Sequence, residues 1–125
     1  MKAEIISIGT EILLGEIVDT NSQYIAARLP ALGIDLYFKH TVGDNLGRLT
    51  DTLRAAWERN DLVIATGGLG PTEDDLTREG IAALLGEEAR VDPELETELR
   101  SRFTQRGAGM PERSEERRVG KECRL

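Results

Sequence analysis

Two short, almost continuous apolar runs mark the chain. Ala3-Glu4-Ile5-Ile6-Ser7-Ile8 ends at Gly9, and Asp61-Leu62-Val63-Ile64-Ala65-Thr66 ends at Gly67-Gly68. Runs this short, rich in β-branched residues and closed by glycine, predict buried parallel strands. Between them the apolar period lengthens. Ile25, Leu29 and Leu32 recur at i, i+4 and i+7, and Leu46, Leu49, Leu53 and Trp57 keep helical spacing, which predicts amphipathic helices over 24–32 and 46–57 packed on a sheet. On this pattern Trp57 belongs to the core. Pro30 removes a backbone donor and crowds the preceding turn, so the first helix should kink or end early. Ile34 to Val42 has the composition of a third strand, entered through Gly33 as a helix stop. Thr77 to Leu85 carries Ile81, Leu84 and Leu85 on one face, and Asp92-Pro93 opens a last helix bearing Leu95, Leu99 and Phe103. The order β-α-β-α-β-α with short links predicts an α/β fold, a mostly parallel sheet covered on both faces.

The pattern stops near the end of the chain. Ser114 to Leu125 is almost wholly charged and without apolar period, a composition that cannot bury a core, so it is assigned to a tail. The 125 residues fit one domain, and 39% hydrophobic with 31% charged residues is ordinary globular composition. The formal charge of −7 gives no general attraction to nucleic acid or to an anionic membrane, so neither is an expected partner and any phosphate must be held locally. Cys123 is the only cysteine, which excludes an internal disulfide framework and a cysteine-rich metal cluster. No apolar run reaches spanning length, and Met1 to Gly9 is too short and too polar at Glu4 for a secretory signal, so the expected compartment is the cytoplasm.

Candidate chemistry concentrates after the second apolar run, in Thr66-Gly67-Gly68-Leu69-Gly70-Pro71-Thr72-Glu73-Asp74-Asp75-Leu76-Thr77. Three glycines follow a strand and precede a helix, at the end of an α/β sheet where ligands bind. Without Cβ atoms their amides can approach an anion, and the next helix adds unpaired N–H groups. Phosphate binding is thus expected of Gly67, Gly68, Gly70, Pro71 and Thr72. The alternative is a plain strand-to-helix turn, with Thr72 as N-cap and Asp75 as its capping-box partner. Asp74 and Asp75 would repel a bare phosphate, so their presence favours a bridging divalent cation, Mg²⁺-like, or an oriented water. The loop is neither a Walker A sequence nor Gly-x-Gly-x-x-Gly.

A second polar cluster follows the first run: Gly9-Thr10-Glu11, Gly15 and Asp19-Thr20-Asn21. In a parallel sheet Thr10, Glu11, Asp19 and Asn21 could face the same crevice as Gly67, or Asp19 or Thr20 could simply cap the next helix. Asp44 in Val42-Gly43-Asp44-Asn45 has the same two readings, the second as cap of the helix from Leu46. His40 has no partner identifiable in sequence and is read as a strand or surface residue.

At these residues the sequence resembles the N-terminal domain of the CinA (competence/damage-inducible protein A) family, which has the molybdopterin-binding fold of molybdenum cofactor biosynthesis. Gly9-Thr10-Glu11 with Gly15, Asp19-Thr20-Asn21, Val42-Gly43-Asp44 and Gly67-Gly68-Leu69-Gly70-Pro71-Thr72-x-Asp74-Asp75-Leu76-Thr77 fall in the family's order and spacing. The resemblance covers residues 1–113 and implies a three-layer sandwich. It further implies metal-dependent ADP-ribose pyrophosphatase activity, giving AMP and ribose 5-phosphate, with Mg²⁺ or Co²⁺ as cofactor. Relatives with this fold bind molybdopterin and use aspartates corresponding to Asp44 and Asp75. The expected catalytic set is therefore Asp44, Asp75 and Glu11, the metal ligands are Asp74 and Asp75, and the ligand contacts are Thr10, Asp19, Asn21 and the glycine loop. A molybdopterin-binding module and an inactive fragment are the alternatives, and a homo-oligomer is a candidate assembly because relatives self-associate. The nicotinamide-nucleotide amidohydrolase domain of many full-length members is not in this sequence. After Arg113 the family pattern gives way to the charged tail, and the expectation is a truncated or frameshifted reading frame, with 1–113 an incomplete domain and 114–125 outside it.

Overall fold

The structure is a computed structural model, and it describes residues 1–70, 76–88 and 90–105. Strand β1 (Lys2–Ile8) is followed by a single turn, α1 (Thr10–Leu13), and by helix α2 (Thr20–Arg28), which runs into a 3-10 turn over Leu29–Leu32. Then come β2 (Asp35–Val42), α3 (Leu46–Arg59), β3 (Leu62–Gly67), α4 (Thr77–Leu85) and α5 (Pro93–Gln105). Among the described residues the three strands form one sheet in the order β2-β1-β3, and both pairings are parallel.

β1 is the central strand, and its two faces feed two cores. Ile6 and Ile8 pack with Val42 and with Leu49, Leu53 and Ala56 of α3, and Leu76, Ile81 and Leu84 close the same cluster. Ala3 and Ile5 point the other way, against Leu29, with Ile25, Ala26 and Leu36 around them. Helices therefore cover both faces, as the α/β reading requires. The apolar run in β1 is continuous because neither face meets water.

Pro30 ends α2 at Arg28, and the chain continues as a 3-10 turn whose last carbonyls are closed by Gly33 at φ 72°. The helix begins at Thr20, four residues before the apolar spacing predicts, because Asp19 caps it: the Asp19 carboxylate accepts from the Ser22 amide at 3.1 Å. Three pattern-based assignments are overturned, the first at Leu46, which is 41% exposed at the start of α3. Trp57 is 43% exposed and not a core residue, since Leu49, Leu53 and Ala56 fill the buried stripe of α3. Leu32 is also exposed, because the 3-10 turn rotates it off the face that Ile25 and Leu29 share.

One charged residue lies inside β1. Glu4 is fully buried, and its carboxylate accepts two hydrogen bonds from the Arg59 guanidinium, at 2.9 and 2.7 Å, and one from the Asn60 amide at 2.6 Å. His40 lies against it too, with Nε2 2.8 Å from Glu4 Oε1, so His40 has a partner that its local sequence does not reveal. Arg59 also covers the Phe38 ring, 4.4 Å from its centroid. The cluster ties the end of α3 to β1 and β2.

The Arg59 hydrogen bonds hold the Glu4 carboxyl below its ordinary value, outweighing the upward push of burial, with Asn60 and the charges of Arg59 and His40 adding to the decrease. A depressed folded value means that this stabilisation is complete above the ordinary value of 4.5 and is lost as pH falls through the folded one. The melting temperature is expected to drop on acidification below that value. Glu4→Gln should melt lower at neutral pH and show a shallower acid dependence, and an unchanged acid slope in that variant would contradict the assignment.

Candidate functional site

The strands end together. Ile8 is in register with Val42 on one side and Gly67 on the other, so the segments that follow all three strands leave the sheet at one rim. The Gly9 amide donates to the Val42 carbonyl at 2.9 Å and carries the β1 pairing past the strand end.

On the β2 side of the rim, Thr10 and Asp44 clasp each other. The Asp44 amide donates to Thr10 Oγ1 at 2.9 Å, and the Thr10 amide donates to Asp44 Oδ2 at 3.3 Å. Asp44 thus does not cap the helix at Leu46; Asn45 does, accepting from the Arg48 amide at 2.9 Å. Capping by the neighbour leaves the Asp44 carboxylate on the rim with Thr10. Glu11 is exposed, and its side chain folds back over Gly9: a Cβ at Gly9 would lie 2.6 Å from Glu11 Oε1.

Asp19 has a structural task as well as a place near the rim. It accepts from Ser7 Oγ at 2.5 Å while capping α2, and Ser7 and Ser22 are both buried. Burial pushes the Asp19 carboxyl up, but the hydrogen bonds from Ser7 and Ser22 together outweigh it and hold the group below the usual carboxylate value. Asn21 is exposed in the first turn of α2.

On the β3 side, Gly67 and Gly68 have φ of +92° and +62°, a region that L side chains rarely adopt. Neither has room for a Cβ, which at Gly67 would lie 2.2 Å from the Ile8 carbonyl oxygen and at Gly68 2.2 Å from Thr77 Oγ1. Thr77 is buried and locks the neck of the loop, its hydroxyl donating to the Gly67 carbonyl at 2.6 Å and its amide to the Gly68 carbonyl at 3.3 Å. The loop therefore leaves β3 and returns to α4 through a closed gate, with Gly70 half-buried on its outgoing side. Pro71, Thr72, Asp74 and Asp75 lie outside the described residues, so the capping alternative for Thr72 and Asp75 and the metal assignment for Asp74 and Asp75 do too.

Among the described residues no group of three or more His, Cys, Asp or Glu side chains could hold a metal ion. Glu11 and Asp44 are hard oxygen donors, the kind that Mg²⁺ takes one or two at a time, with phosphate oxygens and water completing its shell. Their chemistry fits a metal that arrives with a phosphate ligand, and it does not fit a protein-only cage. Sequence reasoning missed Ser7 and Thr77. The signal for Ser7 was its hydroxyl in a strand buried on both faces, which obliges a partner.

The chain has the α/β sandwich architecture in which the carboxyl ends of the parallel strands are the usual place for a ligand. Residues 4–121 match the model of the family described as "Probable molybdopterin binding domain". The chain belongs to that family and, within it, to the CinA-like proteins. It is 54% identical over 110 residues to a CinA-like protein of Deinococcus radiodurans, covering 88% of this chain and 27% of that protein. It is 51% identical over 114 residues to a CinA-like protein of Thermomicrobium roseum, covering 91% and 28%. The chain thus spans about a quarter of the length of these curated relatives. Of solved structures, the protein CinA with unknown function from Thermoplasma acidophilum superposes with a TM-score of 0.79 at 33% identity, covering 90% of this chain and 71% of that one. The molybdopterin biosynthesis enzyme MoaB of Thermus thermophilus shares the fold, with a TM-score of 0.64 at 23% identity over 93% of this chain and 70% of that one.

The gate predicts a measurable cost. Gly68→Ala sets a methyl against Thr77 Oγ1 at positive φ and should cost about 2 kcal/mol, while Thr77→Val removes the hydroxyl bond for about 1 kcal/mol. Urea unfolding reads both; an unchanged midpoint in Gly68→Ala would contradict the described loop.

Proposed function

We propose that this chain binds a nucleotide-type phosphate ligand at the rim and hydrolyses the phosphoanhydride of ADP-ribose with a divalent metal. The observation that carries the reading is that the Thr10–Asp44 clasp and the Gly67-Gly68 turn both lie at the ends of three adjacent parallel strands. Family membership supports it, as does the hard-donor chemistry of Glu11 and Asp44. In the reaction, water oxygen attacks one phosphorus of the P–O–P link, the bridging bond breaks, and AMP, ribose 5-phosphate and a proton are released. Asp44 and Glu11 would hold a divalent metal, with Asp74 and Asp75 the further candidates, and it would supply neutralisation of charge on the ligand. Amides of the glycine turn orient the phosphates, and Thr10 keeps Asp44 aimed at the rim through its own amide and hydroxyl. Asp44 and Asp75 are the candidates for orienting the attacking water.

A second reading is supported by the family description: the same rim holds a molybdopterin-like pterin phosphate and leaves ADP-ribose intact. Thermal unfolding with ADP-ribose and Mg²⁺ or Co²⁺, followed by an assay for AMP, separates the two. The hydrolase reading expects metal-dependent stabilisation and AMP release, with Asp44→Asn losing about a hundredfold in rate. Stabilisation by a pterin phosphate without AMP release would replace it with the second reading.

A further inference from the structure

Asp44 and Asn45 are neighbours just past the end of β2, and each carries a side-chain oxygen of the kind that starts helices. Only one of them does so. Asn45 has extended backbone at φ −140° and ψ 117°, its carbonyl accepts from the Leu49 amide at 3.0 Å, and its Oδ1 accepts from the Arg48 amide at 2.9 Å. Asp44 is held outside the helix. The Asn45 amide donates to the Gly43 carbonyl at 2.8 Å, which closes a three-residue turn with Asp44 at its apex. That turn lies close against Thr10, since a Cβ at Gly43 would stand 3.2 Å from Thr10 Oγ1. The Thr10 amide takes only Oδ2 of Asp44, and no donor reaches Oδ1 among the described residues, so Oδ1 is the oxygen left for a ligand or its metal.

This arrangement is one residue away from a different one. Asp is among the best N-caps, while alanine is a poor cap and the best residue inside a helix. Without an acceptor at position 45, α3 would gain by starting one residue earlier. Residue 45 would turn helical, its bond to the Gly43 carbonyl would open, and the Asp44 carboxylate would leave Thr10 for the Gly47 amide, the third position of the lengthened helix.

We infer that Asn45 is a positioning residue: by capping α3 itself, it keeps the Asp44 carboxylate turned to Thr10 and the strand-end rim. Asn45 touches no ligand in this role and acts only through Asp44. Its service to the site rests on the reading of Asp44 as a ligand- or metal-binding carboxylate, whereas its control of where Asp44 points does not.

Two measurements on the full chain keep those apart. The first is an acid titration of the ¹⁵N-labelled protein. An amide that donates to a carboxylate shifts when that carboxylate is protonated, and the shift lost in Asp44→Asn belongs to Asp44 rather than to the neighbouring Glu11. The Thr10 amide should carry it in the wild type and in Asn45→Ser, which keeps a capping oxygen, and the Gly47 amide should carry it in Asn45→Ala. A shift that stays on Thr10 in Asn45→Ala, or moves to Gly47 in Asn45→Ser as well, would overturn the inference.

The second is titration calorimetry with ADP-ribose in Mg²⁺. Asn45→Ala should bind about tenfold more weakly, as when Asp44 faces the rim in about one molecule in ten, and Asn45→Ser should stay within about twofold of the wild type. Asn45→Ala combined with Asp44→Asn should bind no more weakly than Asp44→Asn alone. Equal weakening by Asn45→Ser, or a further loss in the combined variant, would mark a merely structural effect and overturn the inference, and so would unchanged affinity in Asn45→Ala. Should the wild type not bind ADP-ribose while the amide shift moves to Gly47 as expected, the site reading fails and the control of Asp44 by Asn45 stands.

Discussion

Everything at the rim hangs on the burial of β1. A strand between two parallel neighbours and two helical layers has no water for its side chains, so each polar group on it must be answered by protein. Glu4 and Ser7 are those groups. Glu4 draws Arg59, Asn60 and His40 to the beginning of the strand, and Ser7 draws Asp19 to its end. The first contact fixes where α3 stops against β1, and the second fixes where α2 starts. Because α2 is capped by Asp19, residues 10–18 must turn back within a short span, which is what keeps Thr10 and Glu11 beside the strand ends.

The same constraint explains the glycines after β3. Gly67 sits opposite Ile8, so close that a side chain would enter the Ile8 carbonyl, and Gly68 sits against the Thr77 hydroxyl. The chain can leave the sheet there only as bare backbone, and bare backbone is what an anion can approach. Close packing and the proposed phosphate recognition are two consequences of one arrangement.

Strand and helix identities were legible in the sequence because burial leaves its mark on composition and spacing: β1, β3, α3 and α4 follow from their apolar pattern, and β2 from its β-rich composition after Gly33. The start of α2 was not, since Thr20 to Gln23 adds no apolar residue to the stripe and only the Asp19 cap defines the end. Trp57 misled because its spacing fits the stripe of α3, while the stripe is already filled by Leu49, Leu53 and Ala56. For the site, motif order in the sequence placed Thr10, Asp44 and Gly67 at one end of the sheet. It could not reveal that Thr10 and Asp44 bond each other across 34 residues, or that Asn45 releases Asp44 from capping. Long-range pairings of this kind have no local signature.

The most direct measurement is the amide chemical-shift map of the ¹⁵N-labelled chain as ADP-ribose and Mg²⁺ are added. The account predicts the largest changes at Gly9, Thr10, Gly43, Asp44, Gly67 and Gly68, with little change at the opposite end of the sheet around Glu4 and Arg59. Saturable changes centred on Glu4, Phe38 and Arg59, or none at the strand ends, would contradict it.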